Sequence, residues 1–81
     1  MNYKIEIKEE GLIYYEEDKV LLVDIDFKDI IKFISINLIE NYEYPNNNII
    51  ISKEDKIRII SNIYNELLKT NDKDSLYLDI D

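Results

Sequence analysis

The chain has 81 residues, a formal net charge of −8, 46% hydrophobic residues, and neither cysteine nor histidine. That length allows a single small domain over residues 1–81, and the hydrophobic share is that of a folded chain. The missing cysteine excludes a disulfide framework and thiolate metal sites. The missing histidine removes the commonest general base near neutral pH and the commonest transition-metal ligand.

In chain order, "YKIEIK" alternates Tyr3, Ile5 and Ile7 with Lys4, Glu6 and Lys8, the pattern of a half-buried strand. Gly11, the lone glycine, follows "EE" and marks a turn. "LIYYE" reads as a second strand, with one of Tyr14 and Tyr15 facing in and the other out, and "EEDK" as a tight polar loop. "VLLVDIDF" reads as a third strand, with Leu21, Val23, Ile25 and Phe27 on one face and Asp24 and Asp26 on the other. The second and third strands form an expected hairpin, although its loop lacks the Asn-Gly signature of the tightest turns. "KDIIKFISINLI" is rich in β-branched residues, and its alternation predicts a fourth strand from Phe33 to Leu38. Pro45 cannot donate a ladder hydrogen bond, so it is expected to end that extended segment before the asparagines turn the chain.

The clearest element is a helix over "KEDKIRIISNIYNELLK", with Ser52 as N-cap and Asp55 in the place of a capping-box acid. At about 100° per residue, Ile57, Ile60, Ile63, Tyr64, Leu67 and Leu68 form its apolar face. Arg58, Asn62, Asn65 and Glu66 form the polar one, and Glu54 and Arg58 are spaced to pair. "TNDKDS" ends the helix, and "LYLDI" predicts a last strand. Strands, one helix and a strand make an α+β fold: a small antiparallel β-sheet with one long helix packed on one face.

Few patterns carry chemistry. Asp24 and Asp26 share a strand face and could hold a divalent cation in a metal-dependent hydrolase, but no third ligand stands at a telling spacing, so a solvated face is the better reading. No serine has a histidine to activate it, and a single glycine cannot build a phosphate-cradling loop. No catalytic residue, cofactor or metal is therefore expected, and the chain is not read as an enzyme. The lysines alternate with acids and form no basic patch, so direct nucleic-acid binding is not expected, nor is a membrane partner. An acidic surface instead attracts basic proteins and speeds their association. "MNYKIEIKEE" has charges where a secretion signal needs an apolar core, which makes the cytoplasm the expected address.

"GLIYYEEDKVLLVDID", "NLIENYEYP" and "ISKEDKIRIISNIYNELL" together resemble a small bacterial immunity-protein family of polymorphic toxin systems, numbered seventy-four. Gly11, Tyr14, Glu16, Tyr42, Pro45, Ser52, Ile60 and Ile63 stand at its matching positions. Asn37-Leu38 replaces a serine–isoleucine pair, Tyr42 replaces a tryptophan, and the segment after Asp26 is short. The resemblance implies an immunity protein that binds and neutralises a cognate toxin by stoichiometric occlusion. The charge is compatible with a basic toxin such as a nuclease. The expected partner-binding surface is acidic and aromatic. It comprises Tyr15, Glu16, Glu17, Asp24 and Asp26 on the hairpin, with Glu40, Tyr42, Glu43 and Tyr44 at the corner. Tyr42 is expected to plug the core there while Glu43 and Tyr44 face the partner. A monomer and a homodimer are both compatible with this reading. The alternative is a small acidic regulatory module that mimics nucleic-acid charge.

Overall fold

The computed structural model describes residues 2–81. Three strands, β1 (Tyr3–Lys8), β2 (Gly11–Glu16) and β3 (Lys19–Asp24), form an antiparallel meander in the order β1-β2-β3. Both connections are two-residue turns, since Lys8 pairs with Gly11 and Glu16 with Lys19. Strand periodicity puts Tyr3, Ile5, Leu12, Tyr14, Leu21 and Val23 on the inner face and leaves Lys4, Glu6, Ile13, Tyr15 and Leu22 on the outer. Gly11 allows the close approach of β2 to β3: a Cβ there would lie 2.3 Å from the Val23 carbonyl oxygen.

The fourth expected strand is shorter than its alternation suggests. β4 covers Lys32–Ser35, and Ile36–Leu38 is a 3-10 turn. Ser35 diverts the chain, because its Oγ accepts the Asn37 N–H at 3.1 Å and caps that turn. The segment to Pro45 carries no strand, so the proline ends none. Its peptide with Tyr44 is cis, and two successive turns follow, closed by Asn46 N–H to Glu43 O and Ile49 N–H to Asn46 O, each at 3.0 Å.

The helix α1 spans Lys53–Leu67, and Ser52 caps it by accepting the Asp55 N–H at 3.1 Å. Its buried stripe is Ile59, Ile60, Ile63 and Leu67. That stripe is rotated toward Ile59 from the expected face, and Leu68 stays exposed. Asn71 closes the C-terminal end, donating both its backbone N–H and its side-chain amide to the Leu67 carbonyl at 3.0 Å.

β5 (Leu76–Asp79) does not join the meander. It pairs with β4 in parallel, Phe33 opposite Tyr77 and Ile34 opposite Leu78, as a separate two-stranded sheet. The parallel sense follows from the connection: β4, α1 and β5 form a strand–helix–strand crossover that returns the chain to the end from which β4 started. The α+β class stands, with two small sheets in place of one. One core joins them, with Leu12, Tyr14 and Leu21 from the meander, Ile34 and Leu76 from the ribbon, and the buried stripe of α1. No helix among the described residues is long and apolar enough to cross a membrane.

Candidate partner-binding surface

Glu16 shares the inner face of β2 with Leu12 and Tyr14, and it is only 5% exposed. Its Oε2 accepts the Tyr14 hydroxyl at 2.5 Å and the guanidinium of Arg58, the chain's one arginine. Arg58 also reaches Asp55 Oδ1 at 3.3 Å, one helical turn earlier, and Asn62, one turn later, donates to the Tyr14 hydroxyl oxygen at 3.0 Å. Arg58 and Asn62 therefore turn toward the meander rather than outward, and the partners of Arg58 include Asp55 and Glu16. Burial first, and then the bond to Glu16, push the Tyr14 hydroxyl well above its ordinary pKa. Tyr42, also buried, is raised first by burial and then by the nearby Glu16 and Asp55 charges. Glu16 and Tyr42 belong to the interior and do not present side chains to a partner.

Glu17, Glu43 and Tyr44 are exposed, and the fold brings their two segments together. The Glu43 N–H donates to the Val20 carbonyl at 2.8 Å, and Asn46 Nδ2 donates to the Asp18 carbonyl at 3.1 Å. The corner is thus tied along β3 to the Glu17–Asp18 turn. Lys19 lies between them, 3.6 Å from Asp18 and 6.0 Å from the Tyr42 ring centre. The result is a ridge carrying Glu17, Asp18 and Glu43 beside a Tyr44 ring that is 87% exposed. Asp18 extends the expected set; its place in the polar loop was visible, its neighbour across the chain was not.

Glu17 holds φ at 57°. This is the first central position of a two-residue hairpin turn, where glycine is favoured because a Cβ in the left-handed region costs roughly 1–2 kcal/mol. Tyr15, on the outer face, lies near the Glu6 carboxylate, and Lys4 sits 5.6 Å from its ring centre. The neighbouring Glu6 is the main cause of a raised Tyr15 pKa, and the Tyr15 hydroxyl in turn holds Glu6 below the usual carboxylate value, with Lys8 adding to it. Tyr15 and Glu17 line one shallow groove of about 320 Å³ with Tyr3 and Lys4.

Asp24 and Asp26 lie at the opposite end of β3 from the ridge. They border an open concavity of about 390 Å³ with Glu9, Glu10, Ile25 and Lys28, and Asp26 Oδ1 accepts the Lys28 N–H at 2.9 Å. The described residues contain no group of three carboxylates placed to hold a metal ion. Glu40 is exposed on the approach to the corner. Of the nine expected residues, three thus lie on the ridge, two on a distant acidic rim and two in the interior, with Tyr15 on the outer face of the meander and Glu40 on the approach to the corner.

Compared with known proteins, the chain matches no family model, and no curated protein or solved structure is significantly similar to it.

A second exposed region lies on the β4–β5 ribbon. Phe33 and Tyr77 stand opposite each other on its outer side with ring centres 5.4 Å apart, and Ile31 and Ile80 are also exposed. Below the rings, Ser35 Oγ donates to Asp79 Oδ2 at 3.1 Å. The alternation around Ile34 sets Phe33 apart from the core, but only the ribbon pairing reveals that Tyr77 joins it.

Proposed function

We propose that the protein is a binding protein rather than an enzyme. It is an immunity protein that neutralises a cognate toxin by covering a basic surface of it with the Glu17–Asp18–Glu43–Tyr44 ridge. The observation that carries this reading is Glu17. A carboxylate occupies an exposed turn position where glycine would relieve strain, and it stands on the acidic ridge beside an almost fully exposed tyrosine. Strain retained at an exposed site fits a residue kept for recognition. The net charge of −8 supports steering toward a cationic partner, and the resemblance to immunity proteins supports a toxin as that partner. Exposed acids at the rim speed association, while a tyrosine at the centre slows dissociation.

The test is co-expression with the product of the adjoining gene, which on this reading encodes the toxin. Protection and a one-to-one complex are expected. Glu17→Gly separates scaffold from recognition: it should stabilise the free protein by about 1 kcal/mol and weaken the complex. Tyr44→Ala should leave stability unchanged and weaken binding by roughly tenfold to a hundredfold. Failure to bind or protect refutes the toxin reading. Binding instead to a nucleic-acid enzyme, lost steeply with salt, would favour the charge-mimicking regulator.

A further inference from the structure

We propose that β1 is a self-association edge, at which two copies pair antiparallel about a twofold axis through Ile5 and join their meanders into one continuous sheet. This does not rest on the ridge or on any toxin, although Tyr3 and Lys4 share a groove with Glu17.

The edge is open. Among the described residues, no backbone hydrogen bond outside the β1–β2 ladder involves β1. The Glu9–Glu10 turn closes on the Lys8–Gly11 pair, so Lys4, Glu6 and Lys8 exchange bonds with β2. Tyr3, Ile5 and Ile7 consequently direct their N–H and C=O groups outward. The inner face is also incomplete at this strand: Tyr3 is 37% and Ile7 50% exposed, while Ile5 between them packs against the core.

The side chains select a second copy of this chain as the occupant, and they select its register. With the axis at Ile5, Lys4 stands opposite the copy's Glu6 and Glu6 opposite the copy's Lys4. On the inner face Ile5 meets its own counterpart, and Tyr3 meets the copy's Ile7. Moving the axis to Glu6 sets Glu6 against Glu6 and Lys4 against Lys8, which is repulsive at every outer position. Moving it to Ile7 drives Ile5 against Glu9 of the turn. Only the Ile5 register is complementary on both faces.

The long-range field does not prevent this. The chain carries −8 overall, but β1 holds two lysines and one glutamate, so the strand's own charge does not repeat the acidity of the whole. Glu6 already lies 3.3 Å from Lys8 and 3.7 Å from Lys4. Pairing adds the copy's Lys4 to an existing ladder of alternating charge. A single strand pair covers less than the roughly 1,200 Å² typical of stable complexes. The dimer is therefore weak, concentration-dependent and sensitive to salt.

Sedimentation equilibrium over a wide concentration range tests this, with Glu6→Lys and Lys4→Glu variants. Both side chains lie on the solvent face, and a circular dichroism spectrum confirms that each variant folds. The wild-type mass should rise from 9.8 kDa toward twice that value. Each variant alone sets like charges opposite each other and should lose affinity by about tenfold or more. An equimolar mixture of the two should recover dimer, since each supplies the charge the other lacks. A wild type that stays monomeric overturns the proposal and makes the alternating charges a guard against edge pairing. So does a variant that dimerises as well as wild type, or a mixture that stays monomeric.

Discussion

On the meander, Tyr14 and Glu16 reach the helix through oxygen atoms, meeting Asn62 and Arg58. On the ribbon, Ile34 and Leu76 reach the same core through carbon alone. The polar contact is directional. The Arg58 bond to Glu16 and the Asn62 bond to the Tyr14 hydroxyl, which itself donates to Glu16, favour one rotation of α1 about its axis, and they turn Arg58 and Asn62 inward. The apolar contact sets no such angle and contributes by area. A buried ion pair is weak evidence for stability, because desolvation offsets much of the attraction. The comparison therefore assigns orientation to the meander side and most of the net free energy to the apolar core.

The largest effect should come from truncating that core. Ile34→Ala empties a position that is 0% exposed and should cost about 2–5 kcal/mol in urea unfolding. Phe33, the next residue, is 62% exposed and rests mainly on Tyr77, so Phe33→Ala should cost about 1 kcal/mol or less. If the two substitutions cost the same, the ribbon's outer face supports the fold, and the contrast between inward carbon and outward aromatic rings collapses.

Legibility divides along the same line. The meander was readable because its strands are six residues long and joined by short polar turns, although apolar residues stand on both faces of β2 and β3. The ribbon strands are four residues each, too short for alternation to fix their ends. Their parallel pairing depends on the helix between them, which no local pattern records. Ser35 illustrates the limit: its hydroxyl serves equally well on a strand or as a cap, and here it captures the Asn37 N–H. The exposure of Glu43 and Tyr44 and the burial of Tyr42 followed from the aromatic-before-proline corner. Their approach to Glu17 and Asp18 did not, because it rests on an amide bond between residues 28 apart in sequence. Glu16 has the parity of Leu12 and Tyr14, so its inward direction was encoded. A glutamate at a strand end nevertheless reads as solvated until its cation is found, and Arg58 lies 42 residues away.

A smaller effect should follow from Glu16→Gln, which keeps shape and acceptor but removes charge. Tyr14 and Arg58 can still donate to the amide oxygen, and Arg58 retains Asp55. The Arg58 side chain is 31% exposed, so solvent already screens part of the attraction. The expected loss is about 1–2 kcal/mol. A double-mutant cycle with Arg58→Lys should show coupling, because a lysine cannot bridge Glu16 and Asp55 as a guanidinium fork does. No coupling would mean that packing alone orients α1.

The smallest effect, and the one most specific to the polar side, appears in alkali. The Tyr14 pKa is raised in the folded protein above its ordinary 10.0, by burial first and by the bond to Glu16 second. The unfolded chain therefore gives up this proton at lower pH than the folded one. The stabilisation is fully present below about pH 10 and drains as pH rises toward the folded value, with a slope of at most about 1.4 kcal/mol per pH unit. Tyr42 is raised in the same direction, so the wild-type slope contains both groups. Tyr14→Phe should lower stability at neutral pH, since Asn62 and Glu16 each lose a partner, yet it should flatten the decline above pH 10 by the Tyr14 share. Urea midpoints for the two proteins should therefore converge as pH rises. Parallel curves would show that the Tyr14 hydroxyl titrates alike folded and unfolded, and that the bonds joining β2 to α1 contribute no selectivity for its protonated form.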